Sequence, residues 1–399
     1  MRRGFTLIEL LIVVALLSAL ATAVILIINP AELLAQGRDA LRISDLATLN
    51  STLALFQADH WQRSIGAAST TYLSIPDSSS TCGNTGLTPP PGWSYHCAPT
   101  STYTKVDGTG WVPVNFNLIS VGSPLSKLPI DPVNTTSSGF YYAYTPGGSY
   151  AISSMMESQK YLPTAAEDEG YDPGRYETGS DLSLISKSEG LVAWWPFDGT
   201  LLDKSGNGIN FSQSGSPAWA SGPSCQVGSC ISFTTSDSLS ANSPRFNFGT
   251  GDFTIMAWVK PTRRVDGWGF DFFGNYPHPG QYGDLDIINS DYSYNVGLNH
   301  LPYPSGTSVF CAIDYSSYFD SWHYLTFSRT GNTLSYYVDG SLKKTCNAST
   351  FNVQLVPSGS YNYFVNTSWR NGTNVVDDLR VYARGMSSAE VRAMYQAEK

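Results

Sequence analysis

The apolar pattern is densest at the start of the chain. Phe5 to Ile28 runs as 24 residues with one charge, Glu9. At 1.5 Å per residue, helix of that length spans about 36 Å, enough for a ~30 Å hydrocarbon core. Past Pro30 the pattern becomes amphipathic. Leu46, Leu49, Leu53 and Phe56 recur on one helical face, with Arg38, Asp39, Arg42 and Asp45 as polar companions. The spacing predicts one long helix over 5–59, transmembrane at 5–28 and kinked at Pro30, where a backbone donor is missing.

Beyond residue 60 the helical period disappears. Residues 60–109 read as loops. Phe140–Tyr144 and Ser149–Ser153 flank Pro146-Gly147-Gly148 and predict a hairpin. Lys187-Ser188-Glu189-Gly190 reads as a minimal linker. From Leu191 the pattern is strand-like: Phe253–Val259, Tyr324–Ser328, Thr333–Val338 and Val375–Tyr382, with turns such as Asp339-Gly340 between them. Only Ser387–Ala397 reads as helix. The expectation is an α+β head, a long helix with a small antiparallel sheet, followed by an all-β antiparallel sandwich.

Composition narrows this picture. Charged residues make up 14%, against ~25% in an average soluble chain, and aromatics make up 13%. The net charge of −9 argues against a nucleic-acid partner, which calls for a basic face. Six cysteines with no CxxC pair predict disulfides in an extracytoplasmic protein. Locality and the domain boundary favour Cys82–Cys97, Cys225–Cys230 and Cys311–Cys346. Glu9 stands out because a charge inside an apolar helix is costly and marks function, the plain alternative being a side chain that snorkels to the membrane surface. The sequence has no HExxH, P-loop or GxSxG. Its five histidines are scattered, and His323 beside Trp322 reads as structural.

Gly4-Phe5-Thr6-Leu7-Ile8-Glu9-Leu10 resembles the class III signal of type IV pilins and type II secretion pseudopilins. The resemblance implies cleavage between Gly4 and Phe5 by prepilin peptidase, followed by N-methylation of Phe5. It also implies insertion in the inner membrane, then assembly with other subunits in an extracellular or periplasmic helical filament. There Glu9 would meet a neighbour's N-terminal amine. Leu128-Pro129-Ile130-Asp131-Pro132 and the tyrosine-rich hairpin after it resemble the globular part of major pseudopilins and small pilins. That group binds calcium in a C-terminal loop. Residues 157–189, with 8 acidic and 3 basic side chains, are either such a loop or a solvated acidic one.

A second resemblance covers 188–397. Its markers are Gly190–Asp198, Asp203–Gly208, Phe248–Pro261, Trp322-His323-Tyr324, Tyr337–Gly340 and Val376–Arg384. Together they resemble a LamG-like jelly roll of the concanavalin A-like lectin/glucanase superfamily. Glycosidases normally need two carboxylates flanking the bond. No glutamate occurs from Leu191 to Ala389, and Asp284-Leu285-Asp286 is the nearest imitation, so the expectation is a non-catalytic binder. Strand parity puts Asp377 on the inner face with Leu379 and Val381. There it forms a Ca²⁺ site with Asp203 and Asn207, or it is a buried carboxylate held by backbone N–H groups. An aromatic patch for a glycan is expected within 264–304, from Trp268, Tyr276, Tyr282, Tyr292 and Tyr303.

The chain therefore divides into a leader (1–4), a helix (5–59), a pilin-like region (60–187) and a LamG-like domain (188–399). The expected role is a pilin-like filament subunit that displays a binding domain for a surface glycan or protein. The alternatives are a minor or tip pseudopilin that recognises cargo and a membrane-anchored glycoside hydrolase.

Overall fold

The computed structural model describes residues 6–234, 237–246, 248–261, 271–274, 286–290, 295–299, 311–314, 317–349, 362–365 and 374–399. Backbone alone is described at 19–28, 271–274, 286–290, 295–299, 312 and 362–365. The expected single helix is two: α1 (Leu7–Ile28) and α2 (Pro30–Asp59). Asn29 separates them in the left-handed region, at φ 43°, and its side chain accepts from Glu32 N. Asparagine tolerates that conformation and caps well, and proline suits the first helical position because its missing donor lies where no intrahelical acceptor exists. The result is a break with its own cap, in place of the expected kink. Among the described residues no helix is long and apolar enough to cross a membrane. Phe5 and the side chains of 19–28 lie outside the described residues, and the membrane-span expectation over 5–28 depends on them.

A five-stranded sheet follows α2, with strands β1 (Thr70–Leu73), β2 (Ser94–Cys97), β3 (Tyr142–Pro146), β4 (Tyr150–Met155) and β5 (Arg175–Gly179), in the order β2-β1-β3-β4-β5. The expected hairpin is β3–β4. The region read as loops contributes β1 and β2, which pair in parallel, Thr70 opposite Ser94. Alternation sorts the faces. Tyr142, Tyr144, Tyr150 and Ile152 pack with Leu46, Leu49, Leu53 and Phe56 of α2. Arg42 is fully buried at that contact. It donates to Asp131 at 2.6 and 3.1 Å, to Asp39 at 2.7 Å and to Glu157 at 2.7 Å. Asp131, in the Pro-Ile-Asp-Pro turn, also accepts from Val133 N and Asn134 N.

Both β3 and β4 are buried along their whole length, so the opposite face of the sheet is covered as well. Ala151 on that face packs on Leu184 and Ile185 of α4 (Ser183–Ser188), which follows α3 (Leu162–Ala166) in the chain. The residues expected as a linker therefore end a helix docked on the head.

Among the described residues the sandwich holds two sheets. At the centre of one, Phe253–Pro261 pairs on one side with His323–Thr330 and on the other with Asn374–Tyr382. Ile255, Ala257, Val259, Leu325, Phe327, Val376, Leu379 and Val381 face an inner core that they share with Leu239 and Ala241 of the other sheet. The outer face carries Met256, Trp258, Tyr324, Tyr337 and Tyr382. It is covered by Val391 and Met394 of α5 (Ser388–Ala397) and by Tyr171 of the head. The disulfides are Cys82–Cys97, Cys225–Cys230 and Cys311–Cys346.

Candidate functional site

Gly4 and Phe5 lie outside the described residues. Glu9 is described, and its local role is a helix cap. Thr6 N and Thr6 Oγ1 each donate to Glu9 Oε2 at 2.8 Å, while Glu9 N donates to Thr6 Oγ1 at 3.3 Å. This is a capping box, and the Thr-x-x-Glu spacing that signals it stands in the sequence. The cap satisfies backbone donors at the start of α1.

The hydrogen bonds of the three residues proposed for calcium go to other groups and not to one another. The Asp203 carboxylate accepts from Trp194 N, Ser205 N and Ile209 N, at 3.0, 2.8 and 2.9 Å, and from Ser205 Oγ. Asn207 donates to the carbonyls of Leu191 and Val192. Asp377 accepts from Gln226 N and Val227 N, at 3.1 and 2.9 Å. Its expected inner-face position is corrected here. A bulge opposite Met256–Trp258, with Asp378 at φ 46°, inserts a residue and reverses the parity. Asp377 therefore pairs with Trp258 on the outer face, while Val376, Leu379 and Val381 still face the core. Burial pushes its carboxyl up to about 8, with Asp378 and Asp198 adding to the rise. Among the described residues no group of three His, Cys, Asp or Glu side chains is placed to hold a metal ion. Backbone donors hold the Asp203 carboxylate and Asp377 Oδ2, while the buried Asp377 Oδ1 has no hydrogen-bond partner among the described residues. Because no second and third ligand are gathered beside it, adding calcium is expected to leave the melting temperature unchanged, and a rise would restore the metal reading.

The acidic segment 157–189 is largely spent on structure. Glu157 pairs with Arg38 and Arg42, Asp172 with Arg175, and Asp181 caps Ser183. Asp168 and Glu177 bracket Gly170, and each accepts from backbone N–H groups. Burial raises both carboxyls, Asp168 to about 7. His323 is structural: Nδ1 is 2.8 Å from Asp339 and Nε2 is 2.8 Å from Ser321. Trp268, Tyr276, Tyr282, Tyr292 and Tyr303 lie outside the described residues.

What the sequence reading missed is the seam between head and sandwich. Arg384, two residues past the strand Asn374–Tyr382, donates through Nε to the Glu189 carbonyl at 2.8 Å. It pairs with the Glu189 carboxylate at 2.7 Å and with Glu390 at 2.7 Å. Arg175 of β5 reaches the same Glu189 at 3.8 Å and Asp172 at 3.5 Å. Burial alone would raise the Glu390 carboxyl, but Arg384 and Arg175 more than reverse this and hold it at about 2. Beside the network, α5 meets the head directly: Met156, Leu162 and Ala165 pack with Ala397. The sandwich is thus seated on the head through a charged, buried contact.

Residues 233–392 match the family described as the concanavalin A-like lectin/glucanases superfamily, and residues 1–25 match the prokaryotic N-terminal methylation motif. No curated protein sequence matches the chain. Among solved structures, the binding domain of Paraclostridial mosquitocidal protein 1 is similar at 17% identity and TM-score 0.42, over 52% of this chain and 52% of that one. The ligand binding domain of botulinum neurotoxin serotype D, in complex with N-acetylneuraminic acid, is similar at 12% identity and TM-score 0.44, over 52% and 51%. Domain 4 of AbnA, a GH43 extracellular arabinanase from Geobacillus stearothermophilus, in complex with arabinotriose, is similar at 17% identity and TM-score 0.42, over 51% and 98%. The chain spans about half the length of the first two.

Proposed function

We propose that the chain is a type IV pilin-like or pseudopilin-like filament subunit whose sandwich is a non-catalytic binding module turned to the outside. One observation carries the reading: a single chain joins the methylation motif at 1–25 to a lectin-superfamily domain at 233–392. The helix packed on a small tyrosine-rich sheet supports a pilin-like head. The absence of glutamate between Leu191 and Ala389 supports binding over hydrolysis. In this reading α1 sits in the inner membrane before assembly, prepilin peptidase releases Phe5, and the module recognises a surface glycan. Mass spectrometry of the mature protein tests the first step. An N-methylated Phe5 terminus is expected, and an intact Met1 or cleavage elsewhere would sink it.

One observation favours a minor or tip subunit over a major one. A cleft is lined by Asn29 and Glu32, at the start of α2, and by Asp339, Arg392 and Tyr395 of the sandwich. The sandwich therefore lies alongside the lower end of α2, the flank where neighbours in a dense helical array would pack.

A further inference from the structure

A second cleft, of about 800 Å³, opens along the seam, within the ~300–1,000 Å³ of small-ligand sites. One wall is the head's proline loop, Pro89 to Trp93, tied at its base by the Cys82–Cys97 disulfide. The other wall is the sandwich segment around Arg245 and Phe248. Between them runs the chain junction. Gly190 sits at φ +71°, and a Cβ there would lie 3.0 Å from Pro90 Cβ. Only glycine lets the junction pass this close to the loop.

Four of the cleft's polar side chains keep unused hydrogen-bonding capacity. Among the described residues neither Lys187 nor Arg245 forms a hydrogen bond or ion pair through its side chain, and neither the Trp93 indole N–H nor Asn207 Oδ1 has a hydrogen-bond partner. Arg384 also lines the cleft but is committed to Glu189 and Glu390. Asp252 is the one carboxylate in the lining, and its Oδ1 accepts from Gly331 N. Two cations without a hydrogen-bond or ion-pair partner, Arg245 and Lys187, the second within electrostatic reach of Asp181, stand in one cleft of a protein with net charge −9 and call for a negative ligand. The half-buried Trp93 and its neighbouring prolines offer flat apolar faces for a ring. An amide oxygen and an indole N–H suit hydroxyl groups.

We infer that this seam cleft binds an acidic saccharide, with a sugar ring on Trp93 and its carboxylate on Arg245 and Lys187. Guanidinium matches a carboxylate with two parallel hydrogen bonds. Trp93 and Lys187 come from the head, Arg245 and Asn207 from the sandwich, so neither part holds the site alone. The inference deepens the binding-module reading and rests on it.

Calorimetric titration of the full chain in detergent tests the site, with galacturonate, glucuronate and mannuronate trimers as probes, each beside its methyl ester. At least one acid is expected to bind, with its ester about tenfold weaker or more, and Trp93→Ala and Arg245→Gln each losing about tenfold or more at an unchanged melting temperature. Equal binding of acid and ester, wild-type binding by both variants, or no binding of any acid overturns the cleft. A neutral-glycan array separates the two claims. Retention of a neutral glycan by wild type and both variants alike leaves the module standing without the cleft. Retention of no glycan, acidic or neutral, removes the carbohydrate reading as a whole.

Discussion

Arg384→Met is expected to cost about 3–5 kcal/mol in urea unfolding, because it strips two carboxylates in a buried contact of the cation they pair with at 2.7 Å and leaves them only the more distant Arg175. Arg384 satisfies the Glu189 carbonyl, the Glu189 carboxylate and the Glu390 carboxylate together. Methionine keeps much of the volume and none of the charge. Adding Glu189→Gln and Glu390→Gln to Arg384→Met should recover much of the loss, since a network removed whole costs less than one broken. Glu390→Gln alone supplies the pH signature. Glutamine preserves the capping box with Ser387. The Glu390 carboxyl is held at about 2, below its ordinary 4.5. A depressed acid contributes stability above its unfolded pKa and loses it as pH falls through the folded one. The gap between wild type and Glu390→Gln should therefore be about 3 kcal/mol at pH 6 and close between pH 4.5 and 2. A gap that is flat with pH, or an Arg384→Met protein as stable as wild type, would remove the seam as a structural lock.

Glu9 is the second position with a large expected effect, and its capping box complicates the obvious variant. Glu9→Ala removes both the cap and the charge, so lost filaments would have two explanations. Glu9→Gln keeps an acceptor for Thr6 N and removes only the charge that a neighbour's amine would meet. Cap loss costs about 0.5–2 kcal/mol, too little to abolish a cooperative assembly. The account expects both variants to insert in the membrane and neither to enter filaments, with Glu9→Asp partly restoring assembly. If Glu9→Gln assembled normally, Glu9 would be a helix cap and nothing more.

Much of the architecture was legible because local patterns agreed with it. The α2 face was set by Leu46, Leu49, Leu53 and Phe56, the head hairpin by Pro146-Gly147-Gly148, and the sandwich strands by alternation. The failures have physical causes. Proline alone predicts a kink at Asn29-Pro30, whereas asparagine's tolerance of positive φ makes it a capped break. The β1–β2 pair was missed because parallel pairing of two four-residue strands leaves no turn signal between them. Parity counting puts Asp377 on the inner face because it assumes an unbroken ladder, and the bulge at Asp378 breaks it. The seam was invisible for a different reason. Arg175, Glu189, Arg384 and Glu390 are spread over more than 200 positions, and each alone looks like an ordinary surface charge. The aromatic patch over 264–304 lies outside the described residues, so the uncommitted groups of the seam cleft now give the sharper place to look.

The central claim is that one chain is both filament subunit and binding module. Electron microscopy of sheared surface filaments, labelled with gold-conjugated antibody to residues 188–399, tests it most directly. The account predicts gold on filaments, sparse or at their ends given the sandwich's place beside the lower end of α2. Gold confined to the membrane fraction, on cells whose filaments carry none, would contradict it.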